Sequence, residues 1–143
     1  MENILVSACL LGEKCRFDGK SKPNEQVLKL KEKYNCIPVC PEVDGGLPTP
    51  RNSSEIVGDK VIMCDGTDVT NAFQKGACAA LLAARENNCK LAVLKARSPS
   101  CGKGAVYDGS FTKTLKSGDG ITASLLISNG ITVIDEMEID KLI

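Results

Sequence analysis

The chain has 143 residues, eight cysteines, no histidine and no tryptophan, and its 18 basic side chains are balanced by 18 acidic ones. That length fits one domain with a core of its own, and 43% hydrophobic with 25% charged residues is the composition of a folded globular protein. Without histidine a Ser-His-Asp triad, a Cys-His dyad and an HExxH zinc site are excluded, and zero net charge with 3% aromatic residues leaves no footprint for nucleic acid.

No run approaches the roughly 18 uninterrupted apolar residues of a membrane span. Met1-Glu2-Asn3-Ile4 carries no basic leader, so the expected location is the cytosol. In that compartment eight cysteines point to metal binding or thiol chemistry ahead of a disulfide framework.

Ile4 to Ala8 is a short apolar run that suits a buried parallel strand. After a polar stretch, Asn24 is a helix N-cap, with Val27, Leu28, Leu30 and Tyr34 on one helical face and lysines toward solvent. Ile37 to Cys40 is a second strand stopped by Pro41, which lacks the amide a ladder needs. Cys40 to Arg51, with three prolines and paired glycines, reads as an irregular loop. Glu55 to Met63 reads as a hairpin turning at Gly58-Asp59-Lys60.

The clearest helix follows, with Val69, Ala72, Phe73, Ala77, Ala80, Leu81 and Ala84 on one stripe and an end near Asn87-Asn88. Leu91 to Lys95 is a third strand. A loop from Ala96 to about Gly120 leads to an apolar helix at Ile121 to Ser128, closed by Asn129-Gly130. Ile131 to Ile134 is the last strand, before an acidic tail with a short helix. The order predicts a single domain over residues 1–143. Its fold is α/β: three layers, a mainly parallel Rossmann-like sheet, helices on both faces and a small hairpin.

Three predicted strands end in a cysteine or a cysteine-bearing loop, at Cys9, Cys40 and Cys101. Ligands of open α/β sheets collect at the carboxyl ends of strands, so these thiols can converge on one crevice, and Cys15 can reach the same place. Zinc with four ligands and an iron–sulfur cluster are the soft-metal options, although paired CxxC spacing is absent. Buried packing is the plain alternative for any free cysteine, and it is the expectation for Cys64, Cys78 and Cys89. Glu42, two residues from Cys40, is the natural proton carrier in a chain without histidine. Ser98 and Ser100 can hydrogen-bond a substrate or cap a turn, and Arg51 and Arg97 can bind an anion or pair with acids.

Four separated motifs in one order carry a family resemblance. They are Ser7-Ala8-Cys9-Leu10-Leu11-Gly12 with Cys15-Arg16-Phe17-Asp18-Gly19; Pro38-Val39-Cys40-Pro41-Glu42 with Gly45-Gly46-Leu47-Pro48-Thr49-Pro50-Arg51; Asp65-Gly66-Thr67-Asp68-Val69-Thr70; and Leu94-Lys95-Ala96-Arg97-Ser98-Pro99-Ser100-Cys101-Gly102. Over nearly the whole chain they resemble a bacterial family of small cysteine-containing domains that includes the 2-thiouracil desulfurases. The resemblance implies a [4Fe-4S] cluster on three cysteines, carried over to Cys9, Cys40 and Cys101. It also implies hydrolytic, non-redox removal of sulfur from a small thiolated molecule, with Glu42 as acid–base residue and Ser98 assisting the substrate. Ser100, Arg51 and Arg97 are the expected substrate contacts. The competing reading is a non-catalytic cluster module that carries iron, sulfur or electrons to a partner.

Overall fold

The structure, a computed structural model, describes residues 1–142. Four parallel strands form the central sheet: β1 (Glu2–Ser7), β2 (Tyr34–Val39), β5 (Leu91–Leu94) and β8 (Thr132–Asp135), in the order β2-β1-β5-β8. The antiparallel ribbons are β3 (Ser54–Val57) with β4 (Lys60–Met63) and β6 (Ala105–Tyr107) with β7 (Leu115–Ser117). The helices are α1 (Glu25–Lys29), α2 (Pro41–Asp44), α3 (Thr70–Glu86) and α4 (Ile121–Ser128). Among the described residues no helix is long and apolar enough to cross a membrane.

Alternation along β1 sorts the layers. A strand points successive side chains to opposite faces, so a strand buried on both faces is apolar throughout. Leu5 therefore packs with Ala92, Leu94 and Val133 against Ala80 and Ala84 of α3 and Leu126 of α4. Ile4 and Val6 face the other way, with Val93 and Ile134, against Leu10, Val27, Leu30 and Ile139. This is the predicted three-layer α/β fold. β2 forms an edge, which explains how Pro38 is tolerated inside it.

Asn24 caps α1 as expected, its side chain accepting from the amides of Gln26 and Val27 at 3.0 and 3.1 Å. The helix is shorter than its apolar pattern implies. Tyr34 belongs to β2 instead, because six consecutive pairings with β1, from Glu2↔Tyr34 to Ser7↔Val39, outweigh local helical periodicity. The stretch expected to be wholly irregular begins with a helical turn, α2, where Pro41 takes the first helical position and needs no amide partner. The loop after Cys101 holds the β6–β7 ribbon, whose three-residue strands are too short to show a period in sequence. The acidic tail is a 3-10 helix, Glu136–Lys141, behind a capping box at Asp135 and Glu138.

α2 lies against α3 at two glycines. A Cβ on Gly76 would overlap the Pro41 carbonyl, and one on Gly45 would overlap the Ala72 carbonyl. Gly→Ala inside a helix normally gains about 1 kcal/mol. Here the obstacle is backbone, which cannot swing aside as a flexible side chain can. Gly76→Ala is therefore expected to lower stability by about 1–3 kcal/mol, the usual cost of overpacking, seen as a reduced thermal midpoint.

Candidate active site

In a parallel sheet the point where strand order reverses leaves a crevice outside the carboxyl ends of the strands. Here β1 connects to β2 on one side while β5 lies on the other, so the reversal falls between β1 and β5. A cleft of about 620 Å³ opens there, and Cys9, Cys15, Cys40, Glu42, Ser98 and Cys101 all line it. Ser7 ties the two strand ends together, its Oγ accepting the Lys95 amide at 2.9 Å.

Each thiol arrives on a separate piece of chain. Cys9 is buried in the 3-10 turn Ala8–Leu11, which closes at Gly12 with a left-handed φ of 103°. Cys15 hangs from the following loop, which returns toward β1 through bonds from Lys22 N to the Cys9 carbonyl and Asn24 N to the Leu10 carbonyl. Cys40 is the N-cap of α2. Cys101 is buried past β5 in a turn held by Ser98, whose Oγ accepts the Ser100 and Cys101 amides at 3.1 and 3.0 Å.

Cys9, Cys15 and Cys40 act on one another, and Cys101 lines the same cleft beside them. The Cys15 thiol hydrogen-bonds those of Cys40 and Cys9. Cys40 Sγ also donates to the Cys15 carbonyl at 3.7 Å, and the Cys101 thiol bonds the hydroxyls of Ser7 and Ser100. At Cys15 the bond with Cys40 favours the thiolate, but Cys9 and burial outweigh it and leave the pKa at about 11. The Cys15 thiol and then burial push Cys40 up, and burial pushes Cys101 up to about 12. Left alone Cys15, Cys40 and Cys101 stay protonated, so they need a cationic soft centre to become thiolates. An all-sulfur donor set around an open cleft, with all eight cysteines free, fits an iron–sulfur group.

Glu42 sits on the first turn of α2 with its carboxylate turned to Arg51, whose Nε donates to Oε1 at 3.1 Å. Burial raises the Glu42 pKa, while the Arg51 guanidinium opposes the shift. Arg51 is a hub. It also donates to the Pro48 and Cys15 carbonyls and to Thr49 Oγ1, each at 3.1 Å, and its side chain is only 3% exposed. It thus fixes Glu42 and the Cys15 loop in one frame, a structural duty its sequence context did not reveal. Arg97 is exposed on the cleft wall with a left-handed φ of 69°.

The two serines separate. Ser98 lines the cleft, whereas Ser100 is 1% exposed and its hydroxyl pairs with Thr122 Oγ1 of α4 at 2.8 Å. Ser100, expected as a substrate contact, stands behind the wall, because the Ser98 turn directs the next residues inward. Among the cysteines expected to pack, Cys89 is buried in the core. Cys78 lies on the solvent side of α3, opposite the Phe73, Ala77, Ala80 and Ala84 stripe, and Cys64 is exposed at the cleft mouth. Both were misjudged, because neighbouring apolar residues do not say which way one side chain points.

Comparison with known proteins gives the same picture. The model of a family described as 2-thiouracil desulfurase matches residues 4–138. The chain belongs to the 2-thiouracil desulfurase family. It is 38% identical, over 150 aligned positions spanning 98% of this chain and 99% of the relative, to the uncharacterized protein YbbK of Bacillus subtilis (strain 168). It also resembles a solved structure of the [4Fe-4S]-dependent thiouracil desulfidase TudS, with a TM-score of 0.94 and 42% identity over 99% of this chain and 95% of that one. Membership in the 2-thiouracil desulfurase family agrees with the motif resemblance in the sequence.

Proposed function

We propose that this protein is a non-redox desulfurase that takes sulfur as sulfide from a thiolated small molecule such as 2-thiouracil. The observation that carries the reading is the meeting of Cys9, Cys40, Cys101 and Glu42 at the switch-point cleft of a chain so similar to a thiouracil desulfidase. We assign Cys9, Cys40 and Cys101 as the residues that hold a [4Fe-4S] cluster. When bound, the cluster supplies a soft Lewis acid for the substrate sulfur.

The protein's own groups do the proton work. The overall change, C=S plus water to C=O plus hydrogen sulfide, moves no net electrons, so it needs a proton carrier and no redox partner. Glu42 takes the protons of the attacking water in turn and passes them to the departing sulfur, which leaves as hydrogen sulfide. Its burial favours the protonated form and Arg51 favours the charged one, an opposition suited to a group that must do both. Arg51 holds Oε1, and Oε2 accepts no hydrogen bond from the described residues. Ser98 keeps its hydroxyl hydrogen free to donate, since its oxygen accepts the two turn amides. We place the work in the cytoplasm, whose reducing poise keeps thiols free.

The test is anaerobic reconstitution with iron and sulfide, followed by a sulfide-release assay with 2-thiouracil and other thiolated bases and nucleosides. Brown protein that releases sulfide from at least one of them is the expected result. Brown protein that releases none from any would favour the cluster-carrier reading, and colourless protein would remove both.

A further inference from the structure

A chain with three Phe, two Tyr and no Trp has few aromatic rings to place. Phe73 is in the core and Tyr34 packs beneath the sheet, while the other three rings, Phe17, Tyr107 and Phe111, all line the cleft. Phe17 and Phe111 are 39% and 37% exposed there. The Arg16 guanidinium already lies over the Phe17 ring, 5.9 Å from its centroid, so Phe111 is the open apolar ring that offers its face to a planar guest.

Phe111 is held in place at a cost. It stands at φ 59° in the loop between β6 and β7, and Lys113 follows at φ 60°, conformations that side-chain-bearing residues rarely adopt. A hydroxyl chain stiffens the loop: Ser110 Oγ bonds Asp108 Oδ1 at 2.5 Å and Thr112 Oγ1 at 2.6 Å, and Thr112 Oγ1 bonds Thr114 Oγ1 at 2.9 Å. The anchor is Glu55, more than 50 residues away on β3. This carboxylate is 8% exposed, and Oε1 accepts the amides of Gly109 at 3.0 Å and Phe111 at 3.2 Å. Among the described residues no Lys or Arg pairs with Glu55. A buried carboxylate without a cation is costly unless amides satisfy it, so the strained loop and Glu55 hold each other in place.

We propose that Phe111 is a substrate-binding residue that packs against the planar ring of the thiolated substrate, and that Glu55 is a positioning residue that latches the Phe111 loop to the cleft. The assignment rests on the desulfurase reading and adds to it the two residues that select a flat ring. Phe111→Ala is expected to raise KM for 2-thiouracil roughly tenfold, within the range of base–aromatic stacking, with kcat and iron content close to wild type. Phe111→Tyr, which keeps the ring, restores KM.

Glu55→Ala is expected to abolish slow hydrogen exchange at the Gly109 and Phe111 amides and to raise KM as much as Phe111→Ala. If the latch acts through Phe111, the double variant is no worse than Phe111→Ala alone. An unchanged KM in Phe111→Ala overturns the proposal, as does a double variant in which the two effects multiply. Should Glu55→Ala not fold, the exposed Phe111 position still carries the test. Equilibrium dialysis of 2-thiouracil separates this proposal from the desulfurase reading. Binding about tenfold weaker in Phe111→Ala supports the ring contact even if the wild type releases no sulfide, and equal binding overturns it.

Discussion

Glu42→Gln is expected to lower sulfide release from 2-thiouracil by about 10²- to 10⁴-fold, the usual worth of a positioned acid–base group, while the iron–sulfur absorbance stays at the wild-type level. The substitution keeps the shape of the side chain and an oxygen for Arg51, so Arg51 still finds an acceptor where it now donates to Oε1. What is lost is the ability to bind and release a proton. No histidine exists to take over. The other carboxylate lining the cleft, Glu55, accepts two loop amides. Wild-type sulfide release by Glu42→Gln would remove Glu42 from the chemistry.

The second large effect concerns the thiols. Cys40→Ser and Cys101→Ser are expected to reduce reconstituted iron from about four atoms per chain to below one, because a serine hydroxyl is a poor ligand for a soft iron centre. Cys9→Ser should do the same, and Cys15→Ser should keep its iron. Cys9 lies buried in a short turn at the end of β1, whereas Cys15 hangs from a longer loop beside it. The two line the same cleft, so iron analysis of the two variants decides between them. Iron retained in Cys9→Ser and lost in Cys15→Ser would transfer the ligand role to Cys15. Neither outcome affects the Glu42 test, which is read at full iron content.

Much of the frame was legible in the chain. Runs such as Ile4–Val6 and Ala92–Leu94 are apolar at every position because both sheet faces are covered, and that pattern survives in sequence. Asn24 and Asn129-Gly130 mark helix ends because capping is local chemistry. Three of the four ordered motifs carry the cleft cysteines and Glu42, since a cleft at the carboxyl ends of parallel strands must draw its groups from the residues that follow each strand.

What sequence could not supply was anything set by distant partners. Tyr34 left its helical pattern because β1 offered a ladder. Ser98 and Ser100, two residues apart, were separated into cleft and interior by the turn between them and by Thr122. Arg51 became the hub of Glu42 and the Cys15 loop, and Glu55 became the anchor of Phe111, through contacts 36 and 56 residues apart in the chain. The sequence by itself determined which groups were present, that they carry soft-metal and carboxylate chemistry, and which strand ends they follow. Only the tertiary structure decided which of them share a cavity and which point away. Local periodicity records burial one element at a time, whereas the direction of a side chain beyond a strand is fixed by the elements packed against it.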